Sequence, residues 1–194
     1  MRSPRRSLGL CLTLLTVSAI ILTVPLSAQQ TATSESLAPF VPTPQEVVDR
    51  MLALAKVTKS DVVYDLGCGD GRIVVTAAKQ FGAKGVGVDI DPQRIKESEA
   101  NAKAAGVDHL VSFKLQDAMT VDVSPATVVT LYLLSASNMK LRPILTKQLR
   151  PGARIVSHAF TMGDWAPEKT DEFPDQNGTM RTLYLWTADG KVRQ

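Results

Sequence analysis

The sequence predicts an α/β fold, a doubly wound and mostly parallel sheet of six to seven strands with helices on both faces. Three observations predict it. Short apolar runs alternate with helical patterns along residues 43–160, the order that builds a parallel sheet covered on both sides. The runs are nearly continuous in aliphatic residues, as in V-V-T-L-Y-L-L at 128–134, which suits strands buried on both faces. Of the 194 residues 44% are apolar and only 5% aromatic, so the packing is aliphatic, and the length suits one domain with a sizeable core.

The elements follow in order. Residues 1–28 combine a basic start (R-S-P-R-R), an apolar run at 8–26 and the small-residue end Leu26-Ser27-Ala28, and read as a cleaved signal peptide or an uncleaved membrane anchor. Residues 29–42 are rich in Ser, Thr, Ala and Pro and read as a linker. The domain itself is expected over 43–194. It opens on a helix capped by Thr43, with Pro44 at its first position and Glu46 three residues after the cap, running to about Lys59. Strands are expected at 61–66, 85–90, 110–115, 127–133, 154–160 and 182–187, and helices at 72–81, 92–105 and 137–149. Gly106 stops the second of these helices and Pro151-Gly152 closes the third. Asp189-Gly190 leaves room for only a very short strand after it.

Charge excludes some partners. Three of the 22 basic residues, Arg2, Arg5 and Arg6, lie in the first 28, and the 19 that remain equal the 19 acidic residues. The body is therefore formally neutral and offers no nucleic-acid footprint. Arginines ahead of the apolar run hold the N-terminus in the cytoplasm, so the domain is expected outside it, exported or anchored facing outward. Cys68 is the single thiol after residue 28, which leaves no internal disulfide and no cysteine metal cluster, and no His/Asp/Glu group has metal-ligand spacing.

Ligands of an open parallel sheet bind beyond the carboxyl ends of its strands. There the chain places Asp65-Leu66-Gly67-Cys68-Gly69-Asp70-Gly71, then Asp89-Ile90-Asp91, then Gln116-Asp117-Ala118, so three successive strands each end in a carboxylate. Glycines at alternate positions admit a ligand close to the backbone. The spacing G-x-G-x-G differs from the dinucleotide loop, Asp70 opposes a pyrophosphate, and no Gly-Lys-Ser/Thr follows for a phosphate loop. A ligand with a cationic end, a ribose and an adenine suits the carboxylates in that order, and S-adenosylmethionine has those groups.

The motifs V-Y-D-L-G-C-G-D-G-R, V-G-V-D-I-D-P and Q-D-A, in this order and spacing, resemble the Rossmann-like class I S-adenosylmethionine-dependent methyltransferases over about residues 40–160. The flanks F-V-P-T-P-Q-E-V-V-D-R-M-L, A-T-V-V-T-L-Y-L-L and L-R-P-G-A-R-I-V-S-H are similar to one branch. That branch holds the mitochondrial lysine methyltransferases of the ADP/ATP carrier and the ATP synthase c subunit, with their prokaryotic relatives. The resemblance implies S-adenosylmethionine as cofactor and a lysine of a protein as acceptor, membrane-embedded proteins included. It implies that Asp65, Gly67, Gly69 and Gly71 line the methionine end and that Asp89, with Ile90, meets the ribose. Asp117 and Ala118 would meet the adenine, and Val41, Pro42 and Thr43 would close the site. Leu131 and Tyr132 fall where amino-methylating relatives carry an Asn/Asp-Pro-Pro-Tyr motif, which this chain lacks. Tyr132 is the candidate for orienting the amine, with Ser135 and His158 behind it. A lipid or small-molecule methyltransferase and a non-catalytic adenosyl-binding module remain the alternatives.

Overall fold

The computed structural model describes Leu37, Ala38 and residues 40–194; the segment read as a signal or anchor, with its apolar run at 8–26, lies outside the described residues. Four helices and seven strands follow in the order α1 (Gln45–Leu54), β1 (Val62–Leu66), α2 (Arg72–Phe81), β2 (Lys84–Asp89), α3 (Pro92–Ala104), β3 (Val111–Leu115), β4 (Val128–Leu131), α4 (Ser135–Gln148), β5 (Arg154–His158), β6 (Lys169–Pro174) and β7 (Met180–Thr187). One sheet joins them in the order β3-β2-β1-β4-β5-β7-β6. The first five strands pair parallel, and β7 runs antiparallel to both β5 and β6. The order reverses between β1 and β4, which sets the ligand crevice at their carboxyl ends.

Successive side chains of the strands face opposite sides of the sheet, and the core is divided in two. Val63, Val128, Val156 and Leu183 face α1 and α2, meeting Val47, Val48, Met51, Leu52, Ile73, Val74 and Ala77. Val129, Leu131, Ile155 and Trp186 face the other way, onto Leu141 and Leu145 of α4 and onto Val121, Val123 and Ala126 of the β3–β4 connection. The second face therefore carries one helix and a packed irregular segment. At the amino ends of the strands Asp61 takes hydrogen bonds from the Thr58 amide (2.7 Å) and the Thr127 hydroxyl (2.7 Å) and pairs with Arg154. That cluster closes the edge opposite the crevice.

Several boundaries differ from the sequence expectation. Pro44, not Thr43, is the N-cap of α1, no side chain caps that end, and the helix stops at Leu54 because Lys56 adopts a left-handed φ of 52°. Strand β5 ends at His158, two residues early, where Ala159 turns left-handed. The seventh strand precedes β7 instead of following it. Its sequence, K-T-D-E-F-P, buries only Phe173, as a polar edge strand ending in proline does. Asn177-Gly178 makes the hairpin, with the Asp175 carboxylate accepting from the amides of Asn177 and Thr179 at 2.9 Å each.

Candidate functional site

A cavity of about 250 Å³ opens at the carboxyl ends of β1, β2 and β4. Of the residues singled out from sequence it brings together Val41, Pro42, Thr43, Asp65, Gly67, Gly69, Asp89, Ile90, Asp117, Ala118 and Tyr132. Two others stand apart. Gly71 begins α2 with φ 76°, and a Cβ there would meet Phe113 Cε1 at 2.7 Å and Ser98 Cβ at 2.8 Å, so its bareness serves helix packing. Leu131 is fully buried among the residues that face α4. Ser135 is exposed at the start of α4 and does not line the cavity.

The glycine loop is built rigid. The amides of Gly67 and Cys68 both donate to the Val88 carbonyl (2.8 and 3.0 Å), and Gly71 donates back to Cys68 (2.9 Å). From α3, the Ser98 hydroxyl donates to the Gly69 carbonyl (2.8 Å) and Asn101 donates to the Asp70 carbonyl (2.9 Å). Gly69, with φ 54°, has the Phe40 ring directly over its Cα, where any side chain would collide. Cys68 is buried, and burial pushes its thiol pKa up, away from any role as a nucleophile.

The three carboxylates differ in environment. Asp65 is 2% exposed and accepts the Thr130 hydroxyl at 2.8 Å. Burial pushes its carboxyl up to about 7; the Thr130 hydrogen bond opposes that shift, and the charges of Asp89 and Asp70 add to it. Asp89 is partly buried and accepts the amides of Gly69 (2.8 Å) and Asp91 (3.0 Å), which fixes its carboxylate beside the loop. Asp117 accepts the Met119 amide at 2.8 Å while lining the cavity. Asp70 is different again, because Arg72 pairs with it at 2.5 Å. Burial works to raise the Asp70 carboxyl, but the Arg72 guanidinium outweighs it and leaves the pKa below the usual carboxylate range. Asp70 is therefore neutralised, and the bias against a pyrophosphate rests on Asp65 and Asp89.

Arg72 also donates to the Thr43 carbonyl at 2.8 Å, fastening the segment before α1 across the loop. That segment was expected to be linker up to residue 42. Instead Leu37 and Ala38 pack on the core, the Leu37 carbonyl accepts Ser137 Oγ at 2.5 Å, and the Arg94 guanidinium lies 4.4 Å from the Phe40 ring centre. The cavity walls thus include Leu37, Ala38 and Arg94, which lie outside the motifs, and Phe40 and Arg72, which lie within them but were given no role in the site. The readable signal was F-V-P-T-P, an apolar pair ahead of two prolines. On the other wall Tyr132 stacks on His158, ring centres 4.1 Å apart at 30°, with Phe160 at 6.3 Å. His158 is 1% exposed, and burial, with the charge of Arg181, lowers its pKa to about 4, so the ring is neutral. Trp165 packs on Trp186 and accepts its indole N–H at 2.8 Å, away from the cavity.

The buried Asp65 carboxylate, the partly buried Asp89 carboxylate and the glycine loop beside them fit S-adenosylmethionine, whose ammonium and ribose need acceptors and whose chain needs bare backbone.

Comparison with known proteins finds a family and relatives for the chain. The family model of the ANTKMT methyltransferase domain matches residues 65–169. A protein-lysine N-methyltransferase of Saccharolobus islandicus is 49% identical over 149 residues, covering 76% of this chain and 92% of that protein. The Xenopus laevis lysine N-methyltransferase of the ATP synthase c subunit is 30% identical over 130 residues, covering 67% of this chain and only 57% of that protein. A crystal structure described as an RNA methyltransferase from Salinibacter ruber, in complex with S-adenosyl-L-homocysteine, is 53% identical with a TM-score of 0.75, covering 79% of this chain and 97% of that one.

Proposed function

Because the chain belongs to the family of the ANTKMT methyltransferase domain, we propose that its carboxyl-edge cavity holds S-adenosylmethionine and delivers the methyl group to a protein lysine beside Tyr132. The chain is an S-adenosylmethionine-dependent protein-lysine N-methyltransferase. The observation that carries the assignment of roles is the convergence of Asp65, Asp89, Asp117 and Tyr132 from four chain segments on one cavity.

When bound, the cofactor supplies a methyl group on a sulfonium, open to in-line displacement by an amine. The protein's part is alignment and exclusion of water. In this reading Asp65 receives the ammonium of the methionine end, Gly67 and Gly69 give that chain room, Asp89 accepts the ribose hydroxyls, and Asp117 with Ala118 borders the adenine. Val41, Pro42 and Thr43 close the site, held by Arg72. A lysine ammonium, with a pKa of ~10.4, must lose its proton before it attacks, and desolvation against the apolar part of the cavity wall that includes buried Leu133 favours the neutral amine. Tyr132 orients that amine.

Two further parts of the proposal rest on sequence. The basic start and apolar run of residues 1–28 support export, with the domain acting outside the cytoplasm, and an alkaline phosphatase fusion after residue 42 that stays inactive in cells would overturn it. The acceptor is a protein at or in a membrane, which the apolar N-terminal run and the activity of the frog relative support. RNA as acceptor, suggested by the description of the Salinibacter protein, is disfavoured by the neutral charge of the body.

The test is transfer from radiolabelled S-adenosylmethionine into separated membrane proteins, soluble proteins and RNA of a native extract. Label recovered as methyl-lysine after hydrolysis of membrane protein is expected. Label confined to RNA or lipid would overturn the reading.

A further inference from the structure

We propose that the turn His158-Ala159-Phe160, which begins on the last residue of β5, is a positioning element that sets the Tyr132 ring for methyl transfer. The inference rests on Tyr132 being the residue that faces the acceptor.

Four observations converge on this turn. The Phe160 amide donates to the His158 carbonyl at 2.9 Å, closing a three-residue turn around Ala159. Ala159 carries a φ of 66°, a left-handed conformation unfavourable for a residue with a Cβ, in a turn type that is rare and strained. The side chains on either side of the strained residue both reach Tyr132, His158 by direct stacking and Phe160 from 6.3 Å. The His158 Nδ1 is buried with no hydrogen-bond partner, so this position also bears an unsatisfied polar atom where phenylalanine would bear none.

The turn is held from outside. Ser157 Oγ donates to the Phe160 carbonyl at 2.7 Å, and Asn138 Nδ2, fully buried on α4, donates to the same carbonyl at 3.2 Å and to that of Thr161 at 3.4 Å. Buried Arg142 donates to the Met162 carbonyl at 2.9 Å. Two helix side chains thus enforce a geometry that the local sequence disfavours. Strain and an unpaired nitrogen in adjacent residues, over-determined by the surroundings and next to a cavity-lining ring, mark a place where placement is kept at the expense of stability. Ala159 itself is exposed and touches nothing in the cavity, so its effect passes through its two neighbours.

The decisive variants remove the unfavourable features without removing packing. Ala159→Gly relieves the left-handed backbone and frees the turn, and His158→Phe replaces the unpaired nitrogen with a ring that still fills the space. Both are expected to melt no lower than the parent chain and to bind S-adenosylhomocysteine equally well, while kcat for transfer to lysine in the extract falls by about tenfold or more. Ala159→Asn, which tolerates the left-handed region and keeps the turn stiff, is expected to retain parental kcat. A turn that only supports the fold would give the opposite pattern, with kcat unchanged in Ala159→Gly and His158→Phe, and that result overturns the proposal. So does a loss that follows weakened S-adenosylhomocysteine binding. Failure of the parent chain to label lysine at all would instead overturn the proposed function.

Discussion

Asp65 gives the sharpest quantitative prediction. Its folded-state pKa of about 7 stands above the ordinary 3.8, so its contribution to stability is fully present below about pH 4 and is lost as pH rises through about 7. A carboxyl pKa raised from 3.8 to about 7 corresponds to ~4 kcal/mol, the order of the penalty for holding Asp65 ionised without a counter-charge. Asp65→Asn removes that penalty, so the cofactor-free variant should unfold at higher denaturant than the parent near pH 8 and lose this advantage towards pH 4. A ligand that brings an ammonium to Asp65 must drive its ionisation. Binding S-adenosylhomocysteine should release most of a proton below about pH 7 and progressively less above it. Calorimetry in buffers of differing ionisation enthalpy reads this directly. Asp65→Asn should bind with no linked proton and roughly 10- to 100-fold more weakly, the range for losing a hydrogen bond to a charged group. No proton release near pH 6, or unchanged affinity in Asp65→Asn, would refute the placement of the cation at Asp65.

Asp89→Ala should abolish saturable binding of S-adenosylhomocysteine, because it removes both the ribose acceptor and the anchor of the Gly69 amide. Gly69→Ala should weaken binding and lower the melting temperature together, since its Cβ would enter the space of the Phe40 ring at a φ of 54°. Arg72→Met unfastens Asp70 and the Thr43 carbonyl from one another; cofactor dissociation followed by stopped flow should accelerate, with little change in association. Asp61→Asn, at the opposite edge, should cost about 1–3 kcal/mol in denaturant unfolding while leaving S-adenosylhomocysteine affinity intact.

The sheet and the meeting of three carboxylates at one crevice were readable because each depends on local chemistry. Mostly apolar runs of four to six residues between helical patterns become β1 to β5, and the carboxylates ending β1 and β2 and following β3 fall into the crevice that the strand order creates. What escaped depends on distant partners. Strand β6 buries one side chain in six, so it carries no hydrophobic alternation, and only the Asn177-Gly178 turn announced it. Ser98 and Asn101 look like ordinary helix-surface residues in the Ala-, Glu- and Lys-rich α3, yet they hold the carbonyls of the glycine loop. Asp70 read as a bare charge until its neighbour Arg72 folded back onto it. Gly71 and Leu131 carry motif positions whose work is packing. The left-handed Ala159 has no local sequence signal, since alanine disfavours that conformation and hydrogen bonds with Ser157, Asn138 and β7 impose it.

The most direct test of the account is to incubate a native membrane extract with the purified chain and S-adenosylmethionine carrying a heavy methyl group, then to map the heavy label by tandem mass spectrometry alongside Asp89→Ala. Heavy methyl is expected on the ε-nitrogen of lysine in a discrete protein, and none there with Asp89→Ala. Heavy methyl in nucleosides or lipids with none on lysine, or equal lysine labelling by Asp89→Ala, would contradict it.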